Sequence, residues 1–257
     1  MVDRIDAAHL AQFFLARLHI AGLVHGALHR GRHLVGVHEE AAAEGRLHEL
    51  VRHAHSDLGL ILSKYSDPET ARDALIIAIP KLVGIYGSAA ATVGADWYAD
   101  LRDDAGVRGR FTPVTAELPG SDRYDALARW GVGPLFSGDP DHATAKSRLE
   151  GGLQRIIANA DRETITVSAV EDRQARGWTR STSGGCDFCE ELAAIEWGQK
   201  VPDFESHAHA IARAGIYDFS VHHDSVLVPV ILRHWDVEHL EGLTPEAEDA
   251  RAKLLSS

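Results

Sequence analysis

The chain has 257 residues, of which 45% are hydrophobic and 25% charged, values typical of a globular protein with one large or two modest domains. Its formal net charge of −12 argues against a broad basic surface for nucleic acid, although it leaves room for a local basic patch. No secretion signal and no uninterrupted apolar run of the ~20 residues that cross a bilayer are evident, so we expect a protein that is neither exported nor bound to a membrane.

The first region, residues 1–65, is predicted to be helical and is rich in histidine. Nine of the 16 histidines precede residue 56. His25, His29 and His33 share one helical face, which favours a polar surface that gains charge below about pH 6.5 over a metal site. Breaks in this helical region are predicted at four glycines, Gly22, Gly26, Gly31 and Gly36.

The second region, residues 66–170, is predicted to form a helical body. Asp67 is a capping residue, and Pro68 suits the first turn of the helix that follows. The nearly all-apolar run 75–83 indicates a buried helix, which Pro80 should kink.

A polar segment rich in glycine, arginine and proline, residues 103–120, predicts a long connector between two helical layers. Arg102, Arg108 and Arg110 form a local basic loop there, beside Phe111. We interpret this loop as solvated in preference to a DNA contact. Four large aromatic residues are interpreted as core anchors: Trp97, Tyr98, Trp130 and Trp178.

Helices are predicted again over residues 121–131 and after Asp139, which we place as a cap before Pro140. Gly151 and Gly152 would each cost roughly 1 kcal/mol in the middle of the second of these helices. Their presence predicts close contact with a neighbouring backbone.

Residues 164–170 alternate in polarity and predict a short strand or extended turn, and residues 225–231 are the best strand candidate in the chain. Thr244 should begin a short peripheral helix. The predicted fold is therefore mainly α, a helical body with a small α+β C-terminal element at 171–240 and a tail helix at 241–257.

The two cysteines of the chain, Cys186 and Cys189, form a Cys-x-x-Cys motif after a pair of glycines. Such a motif can ligate a metal or form a short disulfide, and as a reduced pair it can pack like two small apolar side chains. A thioredoxin-like redox role is disfavoured, because it requires a strand-to-helix junction and the preceding sequence is helical. Further metal ligands are available downstream: His207, His209, His222, His223 and Asp224.

Several ordered blocks of sequence lie in the region from about Asp73 to Glu191. They are residues 95–102, 126–130 with 133–136, 148–155, 162–165, 176–180 and 186–192. In their order and spacing these blocks resemble the MuF-like minor capsid (head morphogenesis) proteins of tailed phages that infect actinobacteria.

Members of that family follow the Cys-x-x-Cys with a phenylalanine, a histidine pair and two closely spaced cysteines before Pro-Val. Here Ser225 and Leu227 occupy the two later cysteine positions, so a site with three or four thiolates is excluded. Adjacent histidines on an extended strand point to opposite faces, so a turn would be needed for both to bind one ion. The zinc site that remains consists of Cys186, Cys189, His222 and His223, with His207 or His209 as substitutes.

The resemblance implies a structural protein of the head interior that docks on the portal, major capsid or scaffold protein while the head assembles in the host cytoplasm. Homo-oligomers are a further option, and nucleic acid is only weakly suggested as a partner.

The alternative is a capsid maturation protease that cleaves scaffold or capsid protein. Ser206 lies near His207, and Ser225 lies near His222, His223 and Asp224, but triads are not normally assembled from sequence neighbours, and no Gly-x-Ser-x-Gly elbow is present. Cys186 or Cys189 could act as a nucleophile with a histidine base, but a Cys-x-x-Cys motif favours metal or redox roles. We therefore assign no catalytic residue and favour the structural role.

Overall fold

The computed structural model describes residues 37–182, 225–231 and 245–256. Within these ranges the chain is mainly α with a small antiparallel sheet, as predicted. The elements in chain order are α1 (Val37–Leu62), α2 (Pro68–Asp104), α3 (Ser121–Gly131), a 3₁₀ helix (Gly133–Phe136), α4 (His142–Glu171), β1 (Ala175–Thr182), β2 (Ser225–Ile231) and α5 (Pro245–Leu255). The predicted breaks at the four N-terminal glycines and the histidine face at 25–33 lie outside the described residues.

Helix α2 begins where the sequence predicted. The carboxylate of Asp67 accepts hydrogen bonds from the backbone N–H and the hydroxyl of Thr70, at 2.8 and 2.7 Å. These bonds lower the pKa of Asp67 and satisfy a donor at the helix start. The helix then continues through Pro80 to Asp104, and the predicted connector follows it.

The cap of helix α4 lies two residues later than predicted. Asp141, and not Asp139, accepts hydrogen bonds from the backbone N–H and the hydroxyl of Thr144, at 2.9 and 2.6 Å. The cap at Asp139 was wrong because only Asp141 has a threonine three residues further on, which donates twice to the same carboxylate. His142 is therefore the first helical residue.

By length and composition α2 could cross a bilayer, but 61% of its apolar stretch is buried inside the protein. The core helix of a soluble protein has the same two properties, so the apolar character of α2 is explained by the neighbours that cover it.

The chain divides into two compact units. The first consists of the residues up to Trp97 together with Thr115–Thr164. The second consists of Tyr98–Val114 and the residues from Ile165 onward. The core of the first unit is made by α1, α2, α3 and α4. Its fully buried large side chains include Leu50, Leu58, Leu75, Ile79, Leu82, Leu149, Leu153 and Ile157.

Helix α3 packs against α4 at two glycines. A Cβ added to Gly131 would overlap the side chain of Leu149, and a Cβ added to Gly152 would overlap that of Leu127. Gly151 faces open space. The predicted contact of the glycine pair with a backbone was therefore wrong, because only Gly152 is approached closely and its neighbour there is a side chain.

The strand or extended turn predicted at 164–170 was also wrong, because these residues are the last turns of α4. The hydroxyl of Thr164 donates to the carbonyl of Ala160 one turn earlier, at 2.7 Å, and accepts from the backbone N–H of Ala116 at 3.0 Å. Ser168 accepts from the backbone N–H of Val114 at 2.9 Å. The polar side chains of Thr164 and Ser168 thus face the connector at the four-residue spacing of a helix. Over only seven residues this spacing resembles the alternation of a strand.

The strands β1 and β2 belong to the second unit and pair antiparallel, from Ala175 opposite Ile231 to Thr182 opposite Ser225. The prediction of β2 is confirmed, whereas β1 was not predicted. The register shifts between Ala175 and Gly177, where Gly177 has a φ of +151° that favours glycine.

Candidate functional site

The four predicted zinc ligands, Cys186, Cys189, His222 and His223, lie outside the described residues, as do His207 and Ser206. Among the described residues no group of three or more His, Cys, Asp or Glu side chains is placed to hold a metal. What the structure does describe is the sheet on either side of the predicted ligands. Because Thr182 pairs with Ser225, the chain leaves β1 toward the cysteines at the same end of the sheet where it enters β2 after the histidines.

The second unit contains a buried ion pair that the sequence did not reveal. A guanidinium nitrogen of Arg102, in the last turn of α2, donates to Oδ2 of Asp172, the residue after α4. The hydroxyl of Tyr98, one turn before Arg102, donates to the same oxygen at 3.0 Å. All three residues are buried, with exposed fractions of 0% for Tyr98, 7% for Arg102 and 5% for Asp172.

Local structure places each partner in this cluster. Tyr98 and Arg102 are four residues apart and therefore lie on one face of α2. The backbone N–H of Asp172 still donates to the carbonyl of Ser168 at 3.0 Å, which continues the helical pattern, and its Oδ1 accepts from the N–H of Gln174 at 3.0 Å. Asp172 therefore caps the turn between α4 and β1 while its other oxygen neutralises Arg102.

Phe111 of the connector completes this cluster. The Arg102 guanidinium lies 5.0 Å from the centre of the Phe111 ring, and the Tyr98 ring lies 5.7 Å from it. Burial, together with the negative charge of Asp172, raises the pKa of Tyr98, so its hydroxyl stays a neutral donor. The prediction of a solvated basic loop was wrong for Arg102, because its charge is paired inside the protein, whereas Arg108 and Arg110 are exposed as predicted.

The cluster has the properties of a group that stabilises the fold. Its carboxylate accepts three hydrogen bonds, and the enclosed Tyr98 hydroxyl has no access to a substrate. A missing partner would leave a buried charge uncompensated, which typically costs several kcal/mol. We therefore assign it no catalytic role.

Polar contacts also tie α1 to its neighbours in the first unit. The hydroxyl of Tyr86 on α2 donates to Asp57 on α1 at 2.5 Å, and both residues are buried. A ring nitrogen of His55 lies 3.0 Å from the carbonyl oxygen of Glu150 on α4. At least one of the N-terminal histidines thus has a structural contact and does not simply face solvent.

One aromatic residue that we predicted to be a core anchor lies on the surface. Trp130, in the last turn of α3, is 55% exposed. The guanidinium of Arg148 on α4 lies 5.1 Å from the centre of its ring, a cation–π contact that fixes both side chains. Phe136 of the 3₁₀ helix is also exposed, at 49%. Tyr98 and Trp178, by contrast, are buried as predicted.

Exposed tryptophan held by arginine is typical of protein interfaces, where both residue types are enriched. Local sequence patterns reveal neither the exposure of Trp130 nor the pair of Arg102 with Asp172, which are 70 residues apart.

Comparison with known families identifies the origin of the chain. A family model described as VG15 protein matches residues 38–247, which is most of the sequence. The chain belongs to the VG15 protein family. This is a family of viral and phage gene products, so the chain is a phage protein. No curated protein and no solved structure matches this VG15 protein.

Proposed function

We propose that this VG15 protein is a minor structural component of the phage head, of the MuF-like kind, which docks on the portal or the inner capsid during assembly. The observation that carries the proposal is the family match over residues 38–247, which spans the helical body and both strands. The resemblance of the blocks between residues 73 and 191 to head morphogenesis proteins supplies the finer assignment.

The physical character of the described residues supports a binding role. The first unit has a continuous apolar core, so it offers a rigid helical surface on which Trp130 and Arg148 are held in place. A preordered anchor loses little conformational entropy when a partner covers it. The net charge of −12 fits a role before DNA is packaged, or contact with a basic partner surface.

The test is to locate the protein in assembled particles. We expect quantitative mass spectrometry of purified procapsids and mature heads to find it at a fixed copy number, and cross-linking to join it to portal, major capsid or scaffold protein. A protein that stays in the host cytoplasm and is absent from both particles would contradict the proposal.

The competing function, a capsid maturation protease, is separated by incubation of the protein with procapsids. The structural role predicts no change in the length of scaffold or capsid protein. Cleavage that disappears in Ser225→Ala or Cys186→Ala would replace the structural assignment by the enzymatic one.

We further propose that zinc fastens the C-terminal element through Cys186, Cys189, His222 and His223. The register of the sheet supports this, because Cys186 follows Thr182 by four residues and His223 precedes Ser225 by two, and Thr182 and Ser225 are paired. Metal analysis of the purified chain should find about one zinc per chain, lost in the Cys186→Ser variant. A content below about 0.2 per chain would exclude the site.

A further inference from the structure

Among the described residues, two large aromatic side chains are exposed, and they lie close together along the chain. Trp130 is in the last turn of α3, and Phe136 ends the 3₁₀ helix that follows it. Between them Leu135 is buried in the core, and its backbone N–H donates to the carbonyl of Val132 at 2.9 Å. The 3₁₀ helix is therefore anchored by Leu135, and its neighbour Phe136 is left in solvent.

The side chain of Arg148 on α4 connects these two aromatic residues. Its guanidinium lies 5.1 Å from the centre of the Trp130 ring, and its Nη1 would be 3.8 Å from a Cβ added to Gly133. Residues three apart on a 3₁₀ helix lie above one another, so Phe136 projects from the side of that helix which Arg148 approaches. We call these four residues the aromatic patch: Trp130, Gly133, Phe136 and Arg148.

The positive charge in this patch has no counter-charge in the described part of the chain. No described carboxylate pairs with Arg148, and Glu150, two residues further along α4, pairs instead with Lys146 at 3.1 Å. The contact with Trp130 uses the face of a ring and not a hydrogen-bond acceptor, so the five N–H donors of the guanidinium are still available. None of its nitrogens is a buried atom without a partner, so these donors reach solvent.

We propose that the aromatic patch docks a protein segment that carries a carboxylate between two apolar side chains. The carboxylate accepts paired hydrogen bonds from Arg148, and the apolar side chains cover Trp130 and Phe136. The charge selects this occupant, because a purely apolar segment would bury the guanidinium without a counter-charge, which is strongly unfavourable. The inference rests on the proposed function, since the segment belongs to another component of the head.

The patch fits a protein segment better than a nucleic acid. A single strand can stack its bases on exposed aromatic rings, but it brings a phosphate with every nucleotide and is held by cations that follow its backbone. The aromatic patch holds a single cation, on a chain whose net charge is −12. One guanidinium matches one carboxylate, which a protein segment supplies without further negative charge.

The test measures the binding of labelled 12-residue peptides to the full chain by fluorescence anisotropy. The first peptide has the central sequence Leu-Thr-Glu-Thr-Leu. Alternate residues of an extended segment share one face, so its glutamate lies between the two leucines. We expect peptides in which the glutamate is replaced by glutamine, or both leucines by alanine, to bind at least about fivefold more weakly.

Three variants examine the patch itself. Trp130→Ala, Phe136→Ala and Arg148→Gln should each weaken binding of the first peptide by about fivefold or more. In Arg148→Gln the glutamate peptide should also lose its advantage over the glutamine peptide, because the two changes remove the same contact. The matched controls are Leu60→Ala, at an exposed apolar position of α1, and Arg155→Gln, at an exposed position of α4. Both should bind like wild type.

Circular dichroism first confirms that every variant is folded. Equal binding of the glutamate and glutamine peptides to wild type, or no binding of either, would overturn the inference. An effect of Leu60→Ala as large as that of Trp130→Ala would also contradict it, because the binding would not be local to the patch. Tighter binding to a 12-mer of single-stranded DNA, or self-association, that is lost in Trp130→Ala would assign the patch to nucleic acid or to a second copy of the chain. Either result would exclude a different protein as the occupant.

Particle analysis separates this inference from the proposed function. If wild type is absent from heads, the proposed function fails, while the preference of the patch for a carboxylate between apolar side chains is still measured by the peptides. If the double variant Trp130→Ala, Arg148→Gln enters heads at the copy number of wild type, the patch inference fails and the head assignment stands.

Discussion

Asp161 of α4 lies so close to Gly94 of α2 that a Cβ on the glycine would be 2.7 Å from the backbone oxygen of Asp161 and 2.9 Å from its Oδ1. The two helices therefore touch backbone to backbone in the first unit. Glycine is required at this position because a backbone oxygen, unlike the end of a side chain, cannot turn aside.

We expect Gly94→Ala to destabilise the protein by roughly 1–3 kcal/mol, because the added methyl must push α2 and α4 apart. The matched control is Gly84→Ala in the same helix, where a Cβ would meet nothing within 4 Å. That variant should gain up to about 1 kcal/mol from its better helix propensity. Urea unfolding measures both, and equal effects of the two substitutions would show that the close contact is not formed.

Burial raises the pKa of Asp161 to about 7 from its ordinary value of 3.8, although the charges of Arg162 and Arg46 lower it. The folded protein therefore holds this proton more tightly than the unfolded chain does. Stability from the protonated form is fully present below pH 3.8 and is lost as the pH rises from there to about 7.

We expect Asp161→Asn to remove this loss. Relative to wild type the variant should be more stable at pH 8 than at pH 5 by roughly 2–4 kcal/mol, measured as the difference between two urea unfolding curves. Glu163→Gln, an exposed carboxylate in the same turn, should leave the wild-type pH dependence in place. A difference that does not change with pH would contradict the raised pKa.

Replacing only one partner of the buried ion pair between Arg102 and Asp172 should strongly destabilise the protein. Arg102→Leu leaves the Asp172 carboxylate buried without a cation, and we expect a loss of about 3–5 kcal/mol. The double variant Arg102→Leu, Asp172→Leu should be more stable than Arg102→Leu alone, since the remaining charge is removed. As a surface control, loss of the exposed pair of Lys253 with Asp249 in Asp249→Asn should cost less than about 1 kcal/mol.

The start of α4 distinguishes two aspartates that look equivalent in the sequence. Asp141→Ala should lower the melting temperature by a few degrees, because the cap bonds to Thr144 are lost, whereas Asp139→Ala should leave it unchanged. Those bonds lower the pKa of Asp141 below 3.8, so the contribution of the cap is present above that pH and is lost on further acidification. The opposite ranking of the two variants would restore Asp139 as the cap.

Local rules predicted much of this fold from the sequence. The start of α2 at Pro68, the connector before α3 and the strand at 225–231 are all confirmed, because each depends on neighbouring residues alone: a cap with a proline, a polar break, an apolar β-branched run. The strand prediction at 164–170 was wrong because it also depended on neighbouring residues alone. Over seven residues, polar side chains at positions 164, 166 and 168 fit alternation as well as a helix, and only the packing of Thr164 and Ser168 on the connector decides between them.

The polar interior could not be predicted in this way. Arg102 is charged and flanked by a polar segment, so its sequence context indicates solvent, and its burial depends on Asp172, 70 residues further on. The prediction for Trp130 was wrong in the opposite sense, because a tryptophan among apolar neighbours is expected in the core and this one is exposed. Helix α3 packs on α4 through Gly131 and Gly152, which leave room for the side chains of Leu149 and Leu127. This orientation leaves Trp130 exposed at the edge of the contact.

The pairing of Thr182 with Ser225 has a consequence for the length of the chain between them. Residues 183–224 are inserted between two positions that the sheet already holds side by side. The entropy of closing such an insertion grows only with the logarithm of its length, so doubling it costs roughly 0.6 kcal/mol. Additional residues between Thr182 and Ser225 would therefore weaken the pairing of β1 with β2 only slightly through chain entropy.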